Sequence, residues 1–174
     1  AACVVNATGV WVDDILRMDC ACTATAQHAS IVAPSQGVHL VVDRTFLPGD
    51  TALMVPKTTD GRVLFAVPWL GKVILGTTDT ARQDMPLEPK PMAAEIDFIL
   101  SEARNYLQRA PSRNDVRSAW AGLRPLVKPN SDTSSDTKRL SREHTVLVAP
   151  SGLVTVTGGK WTTYRAMAED VLER

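Results

Sequence analysis

Two segments, one near each end of the chain, share a pattern that few folds accommodate. A short apolar run, Cys3 to Asn6, is broken by Ala7-Thr8-Gly9. Val10 to Asp19 then carries Val12, Ile15, Leu16 and Met18 at helical spacing, with Asp13 and Asp14 in the first turn. The second segment runs from Leu153 to Thr157 as a buried-type strand, through Gly158-Gly159, into a helix expected over 160–172. A strand that ends in glycine and opens a helix leaves unpaired amides at the positive end of the helix dipole. Such a turn suits an anion or a carbonyl with negative character, and Lys160 adds a full charge at the second one. The phosphate loop of nucleotide hydrolases is excluded there. Val154 stands where its first glycine belongs, and Trp161 replaces the required serine or threonine. Both segments also read as plain strand–helix turns, and their residues alone leave that open.

Between them the pattern is of another kind. Residues 20–36 are small and polar and read as a loop, and Val38 to Val42 reads as a strand. Ala52 to Thr58, Arg62 to Pro68 and Lys72 to Thr77 form an expected antiparallel meander. Asp60-Gly61 is its first hairpin, with both turn residues expected at positive φ, and Trp69-Leu70-Gly71 is its second turn. Met92 to Gln108 repeats apolar residues at 92, 96, 99, 100, 103 and 107, the clearest helix in the chain, with Pro91 at its start. Val116 to Leu126 reads as a long strand, 128–139 as an exposed loop, and Thr145 to Ala149 pairs with Leu153 to Thr157 around Ser151-Gly152.

Composition narrows the function. The chain has 174 residues, 44% of them apolar and 22% charged, in the ordinary range for a folded globular protein. Lys plus Arg equals Asp plus Glu at 19 each, which removes the basic excess expected of a nucleic-acid binder. No apolar run approaches the length of a membrane span. Cys20 and Cys22 are too close together, with no second cluster, for a zinc framework, and His28, His39 and His144 are too dispersed for a metal site. Three cysteines cannot all pair, so reduced thiols and an intracellular setting are expected. The chain starts inside a strand without Met and stops inside a helix, and it is expected to be an internal fragment of a longer protein.

Three single residues carry candidate chemistry. Arg124, in Trp120-Ala121-Gly122-Leu123-Arg124-Pro125-Leu126, is a lone cation in an apolar strand. Pro125 places it near a strand end or edge, and its guanidinium suits a phosphate or carboxylate, or a structural ion pair. His39, between Val38 and Leu40, reads either as a general base or as a satisfied core histidine. Gly76-Thr77-Thr78-Asp79-Thr80 offers hydroxyls and a carboxylate to a polar pocket, or caps a strand. Trp11, Trp69, Trp120 and Trp161 read as core residues.

Taken in order, Asn6 to Gly9, Gly37 to Val41, Asp60 to Val63, Pro68 to Gly71, Gly76 to Asp79, Gly122 to Leu126, Ser141 to His144 and Gly158 to Arg165 resemble the FAD-dependent, quinone-linked glycerol-3-phosphate dehydrogenases. Asp60-Gly61-Arg62 and Met167-Ala168-Glu169-Asp170 look most like the mitochondrial type. The resemblance implies oxidation of sn-glycerol 3-phosphate to dihydroxyacetone phosphate, by hydride transfer to FAD and electron transfer to ubiquinone. It implies an α/β (α+β) flavoprotein fold of the FAD/NAD(P)-binding group. In it, 1–36 and 151–174 would be remnants of the nucleotide-binding domain, flanking a mostly antiparallel substrate (cap) domain over 37–150. It implies substrate-side roles for His39, Arg124 and Lys160, with His39 the candidate proton acceptor, and a cofactor side made by Ala7, Gly9, Gly158, Gly159 and a helix start at Thr162. A peripheral place on the mitochondrial inner membrane follows, or the cytoplasmic membrane in a bacterium. The family's Gly-x-Gly-x-x-Gly, its N-terminal arginine and its C-terminal domain are not in this chain, so the fragment is expected to be inactive alone. A related FAD enzyme acting on a 2-hydroxy or 2-amino compound, and a non-catalytic truncated remnant, are the alternatives.

Overall fold

The strand Val5–Asn6 (β1) ends in a single-turn 3-10 helix, Gly9–Trp11, that leads into the helix Val12–Thr23 (α1). The computed structural model describes residues 1–23, 29–128 and 143–174. A long strand, Val32–Asp43 (β2), precedes the short strands Leu53–Val55 (β3), Leu64–Trp69 (β4), Lys72–Gly76 (β5) and Thr80–Ala81 (β6). The helix Ala93–Arg104 (α2), the strand Ser118–Val127 (β7), the hairpin His144–Val148 (β8) and Val154–Gly158 (β9), and the helix Tyr164–Leu172 (α3) complete the chain. The fold class is mixed α/β with largely antiparallel pairing, as the sequence implies.

The chain forms two compact units, one of 1–35, 81–85 and 123–174 and one of 36–80 and 86–122. The first holds a sheet of order β1-β9-β8. β1 runs parallel to β9 with Asn6 opposite Thr155, and β8 is antiparallel to β9 with His144 opposite Gly158. This hairpin joins residues 143–150 to the first unit. α1 lies on β9, and α3 lies on β8 and β9. Asn6 locks the first turn: its amide donates to the Val12 carbonyl at 3.0 Å and to the Thr155 hydroxyl at 3.3 Å, and its oxygen accepts from the Thr8 hydroxyl at 2.8 Å.

In the second unit β3, β4, β5 and β2 pair side by side in antiparallel register, and β7 joins the other edge of β2. Strand period two sorts β2 into faces: Val38, Leu40 and Val42 are fully buried, while His39 and Val41 alternate with them. The buried set packs with Val55, Leu64, Ala66, Val73 and Leu75 under α2, which contributes Ile99, Leu100 and Ala103. Each fully buried Leu or Ile stabilises this core by roughly 1.5–3 kcal/mol. α2 is tied back through buried Glu95, which accepts from the Gln36 amide at 2.7 Å, the Thr80 hydroxyl at 2.8 Å, the Thr78 hydroxyl at 3.2 Å and the Met92 N–H at 2.8 Å. Thr78 and Thr80 therefore fasten a helix to the sheet. Asp43, at the end of β2, accepts from Lys72 at 2.6 Å and from Arg117 at 2.6 Å; the Lys72 hydrogen bond and then that of Arg117 hold its carboxyl below the usual range.

Several elements differ from the sequence expectation. Residues 20–36 are not one loop: α1 continues to Thr23 and β2 begins at Val32. Buried Asp13 sets that start, accepting from the Ser30 hydroxyl and from the Ile31 and Val32 amides at 2.8–3.2 Å. Pro34 fits the strand because its carbonyl accepts from Arg82 and no donor is needed. Asp60-Gly61 is not a two-residue turn, since β3 stops at Val55 and β4 starts at Leu64, and only Gly61 has positive φ (84°). The tight turn is Leu70-Gly71, at φ 48° and 76°, between the paired residues Trp69 and Lys72. The helix expected from 92 to 108 spans 93–104, and Asn105, Tyr106 and Leu107 finish it with backbone bonds to Glu102 and Ala103. The tryptophans are not core: Trp69, Trp120 and Trp161 are 60%, 42% and 86% exposed, and Trp11 is half-buried. The expected loop 128–139, His28, Ser141 and Arg142 lie wholly or almost wholly outside the described residues.

Candidate functional site

β1 and β9 are adjacent and parallel, so their carboxyl ends point the same way, and each ends in a glycine turn followed by helix. In open α/β sheets that edge is where ligands bind. The two turns differ electrostatically. Asp13 and Asp14 occupy the first turn of α1, which disfavours an anion at its start. α3 has no acid in its first turn, and Lys160 precedes it. An anionic group is therefore better placed at the second turn.

The glycines also have different reasons to be glycine. Gly9 has φ 63° and open space where a Cβ would stand. Gly158 has φ 79°, and its Cβ would lie 2.5 Å from the Glu143 carbonyl oxygen; Gly159 has φ 73°, and its Cβ would meet the Met167 sulfur at 2.5 Å. These two are required by the turn's own packing against β8 and α3, whereas Gly9 leaves its backbone open to an approaching group. The expected helix start at Thr162 is a 3-10 turn over Trp161–Thr163, and the α-helix begins at Tyr164. Thr163 makes that entry: its hydroxyl accepts from the Lys160 N–H at 3.2 Å and donates to the Lys160 carbonyl at 3.0 Å. Thr162 and Ala7 are exposed, and Trp161 stacks on Tyr164 with ring centroids 5.5 Å apart. His144 Nε2 lies 2.5 Å from Asp170 Oδ2 and joins α3 to the start of β8.

Arg124 and Lys160, far apart in sequence, face one cavity of about 270 Å³, lined by Leu123 to Leu126, Gly158, Gly159 and Lys160. Arg124 and Pro125 lie within β7, which pairs with β2 alone among the described strands, so Arg124 is on an edge strand as Pro125 implies, and it is half-buried. The chemistry of this cavity is two cations on a partly apolar wall beside a glycine turn. One buried polar atom adjoins it in sequence: the Thr157 hydroxyl has no hydrogen-bond partner among the described residues. Threonine in a buried strand gives no sequence signal for this, and the residue is absent from the expected site.

His39 belongs to the second unit. It lies on the face of β2 away from the α2-covered core and is half-buried, so it is not the core histidine its apolar neighbours allow. It sits opposite Gly76 on β5, and its ring stacks on Trp120 of β7 with centroids 5.4 Å apart and planes at 19°. Trp120 was expected in the core, and Gly76 only as the first residue of the Gly76 to Thr80 segment. Among the described residues no group of His, Cys, Asp or Glu is arranged to hold a metal ion, and no helix is long and apolar enough to cross a membrane.

Comparison with known proteins extends this geometry. A mitochondrial protein of Caenorhabditis elegans called a probable glycerol-3-phosphate dehydrogenase is 49% identical over all of this chain, and the Homo sapiens mitochondrial glycerol-3-phosphate dehydrogenase is 46% identical over 99% of it. The chain spans 23% of the length of each of these relatives. Among solved structures, the Bacillus halodurans glycerol-3-phosphate dehydrogenase complexed with FAD superimposes with a TM-score of 0.77 at 36% identity, over 99% of this chain and 31% of that one. The L-alpha-glycerophosphate oxidase of Mycoplasma pneumoniae shares the fold, with a TM-score of 0.60 at 19% identity, 97% of this chain and 40% of the other. The family model for FAD dependent oxidoreductases matches residues 1–169. The chain is a part of a flavoprotein and belongs to the FAD dependent oxidoreductase family.

Proposed function

We propose that the full-length protein containing this chain oxidises sn-glycerol 3-phosphate to dihydroxyacetone phosphate, with FAD as hydride acceptor and ubiquinone as the onward electron acceptor. The observation that carries the reading is the cavity shared by Arg124, Lys160 and the Gly158-Gly159 turn. Two cations on one small cavity suit a doubly charged phosphate ester better than a singly charged carboxylate. The guanidinium forks onto two phosphate oxygens and the ammonium adds a point charge. The names and identities of the relatives support the same substrate.

The residues at the two turns fit FAD. The open side of Gly9 admits a close approach to its backbone, and the buried Thr157 hydroxyl lacks a partner among the described residues. In this reading Ala7, Gly9, Gly158, Gly159 and Thr162 line the cofactor side, and the first unit is the nucleotide-binding part. The second unit is the substrate part. When bound, FAD supplies a two-electron acceptor for the C2 hydride. His39 takes the hydroxyl proton as that hydride leaves, so the C–O bond becomes a carbonyl and both hydrogens are accounted for. The mitochondrial names of the relatives support a mitochondrial location, and we place the full-length protein peripherally on the inner membrane.

Lys160→Met tests the reading. Replacing the ammonium with an apolar chain of similar length should raise KM for sn-glycerol 3-phosphate by about 10–100-fold, since one charge-assisted hydrogen bond is worth roughly 1.5–3 kcal/mol. Flavin content should be unchanged. An unaltered KM in steady-state assays of the full-length variant contradicts a phosphate role for Lys160.

A further inference from the structure

Trp120 is exposed, aromatic and placed on the one histidine the proposed chemistry uses. Its exposure of 42% means that core packing does not account for it. β7 pairs with β2, so the indole reaches His39 across adjacent strands. Cross-strand aromatic pairs of this kind contribute beyond the area they bury. On the other side of β2, His39 pairs with Gly76 of β5. A Cβ on Gly76 would stand 2.3 Å from His39 Cδ2, 3.0 Å from His39 Cγ and 2.9 Å from the Val38 carbonyl oxygen. The imidazole therefore leans into the space that a missing side chain leaves, and the indole lies flat against it. A half-buried histidine has two open torsions. Here the glycine admits one position and the indole plane, within 19° of parallel, fixes the ring's tilt.

We propose that Trp120 is a positioning residue for His39, holding its imidazole in the orientation from which it accepts the substrate's hydroxyl proton. The inference rests on the reading of His39 as that acceptor. The aromatic face adds a second effect, since a cation is favoured over an indole and His39 becomes imidazolium when the proton arrives. Gly76 is the other half of the device, because any side chain there would push the ring out of place.

The test is a double-mutant cycle in the full-length flavoprotein, read as the rate of flavin bleaching in single turnover with sn-glycerol 3-phosphate. Proton transfer by a placed base contributes about 10²–10⁴-fold, and a 1 Å misplacement loses about 10²-fold, so Trp120→Ala should slow bleaching by about 10–100-fold. The concentration of half-saturation should stay within about twofold, because orientation of the base and not substrate capture is lost. Trp120→Leu, which fills the site without stacking, should match Trp120→Ala, and Trp120→Phe, which stacks, should recover most of the rate. Adding Trp120→Ala to His39→Ala should cost nothing further. A wild-type rate in Trp120→Ala and Trp120→Leu, or the same loss in the His39→Ala background, overturns the positioning role while leaving His39 as acceptor. An unchanged rate in His39→Ala alone overturns the acceptor reading, and the positioning role with it.

Discussion

Replacing Arg124 with alanine in the full-length protein should lower kcat/KM for sn-glycerol 3-phosphate by about 10²–10³-fold, the loss expected of two charge-assisted hydrogen bonds discounted for partial solvent access. Arg124 is half-buried inside β7, flanked by Leu123 and Pro125, and its cavity is shared with Lys160. The strand fixes the guanidinium's origin more firmly than a loop would. Lysine at this position keeps the charge but not the planar fork, so Arg124→Lys should recover only part of the loss. The measurement is steady-state kinetics with flavin occupancy recorded for each variant. If Arg124→Ala retains full kcat/KM with full flavin, the cavity is not where the phosphate sits.

The second large effect is on folding. Gly158→Ala introduces a Cβ 2.5 Å from the Glu143 carbonyl oxygen, at a residue whose φ is 79°. Neither partner can step aside, because the clashing atom is backbone and His144, next in the chain, is paired with Gly158 across the β8–β9 hairpin. Left-handed backbone costs a non-glycine residue about 1–2 kcal/mol, and overpacking adds about 1–3 kcal/mol, so the substitution should destabilise by about 2–5 kcal/mol. Gly9→Ala is the control. It carries the same kind of backbone conformation, at φ 63°, but meets open space, and should cost only about 1–2 kcal/mol. Denaturant unfolding of the flavoprotein checks the pair. Equal costs for the two would mean that the turn after β9 yields more easily than its geometry implies.

What the sequence carried, and what it hid, divides along physical lines. The strand–glycine–helix pattern at both ends and the apolar repeat of α2 were readable because each is local, set by residues within a turn or two. The sharing of one cavity by Arg124 and Lys160 was expected only through the resemblance, since no local pattern joins residues 36 apart. The boundaries of β2 were hidden because a tertiary bond sets them: Asp13, in the first turn of α1, holds Ser30, Ile31 and Val32. The turn at Trp69-Leu70-Gly71 was readable, and the register of β4 against β5 narrows it to Leu70-Gly71 with leucine at positive φ; Asp60-Gly61 was misread as a two-residue hairpin because the β3–β4 pairing ends at Val55 and Leu64 and leaves a longer loop. The pairing of His39 with Gly76 and Trp120 depends on which strands flank β2, which periodicity alone does not give. The exposed tryptophans were read as core because composition says nothing about which face of an element a residue takes.

The central claim is that this chain supplies the substrate-binding cations and proton acceptor of a flavoprotein that oxidises a phosphorylated 2-hydroxy compound. The most direct test is the visible spectrum of the natively purified full-length protein, recorded anaerobically before and after addition of sn-glycerol 3-phosphate, with glycerol as the unphosphorylated control. The account predicts an oxidised flavin spectrum that bleaches with the phosphate ester and stays unchanged with glycerol. A flavin that is present yet untouched by sn-glycerol 3-phosphate would contradict it.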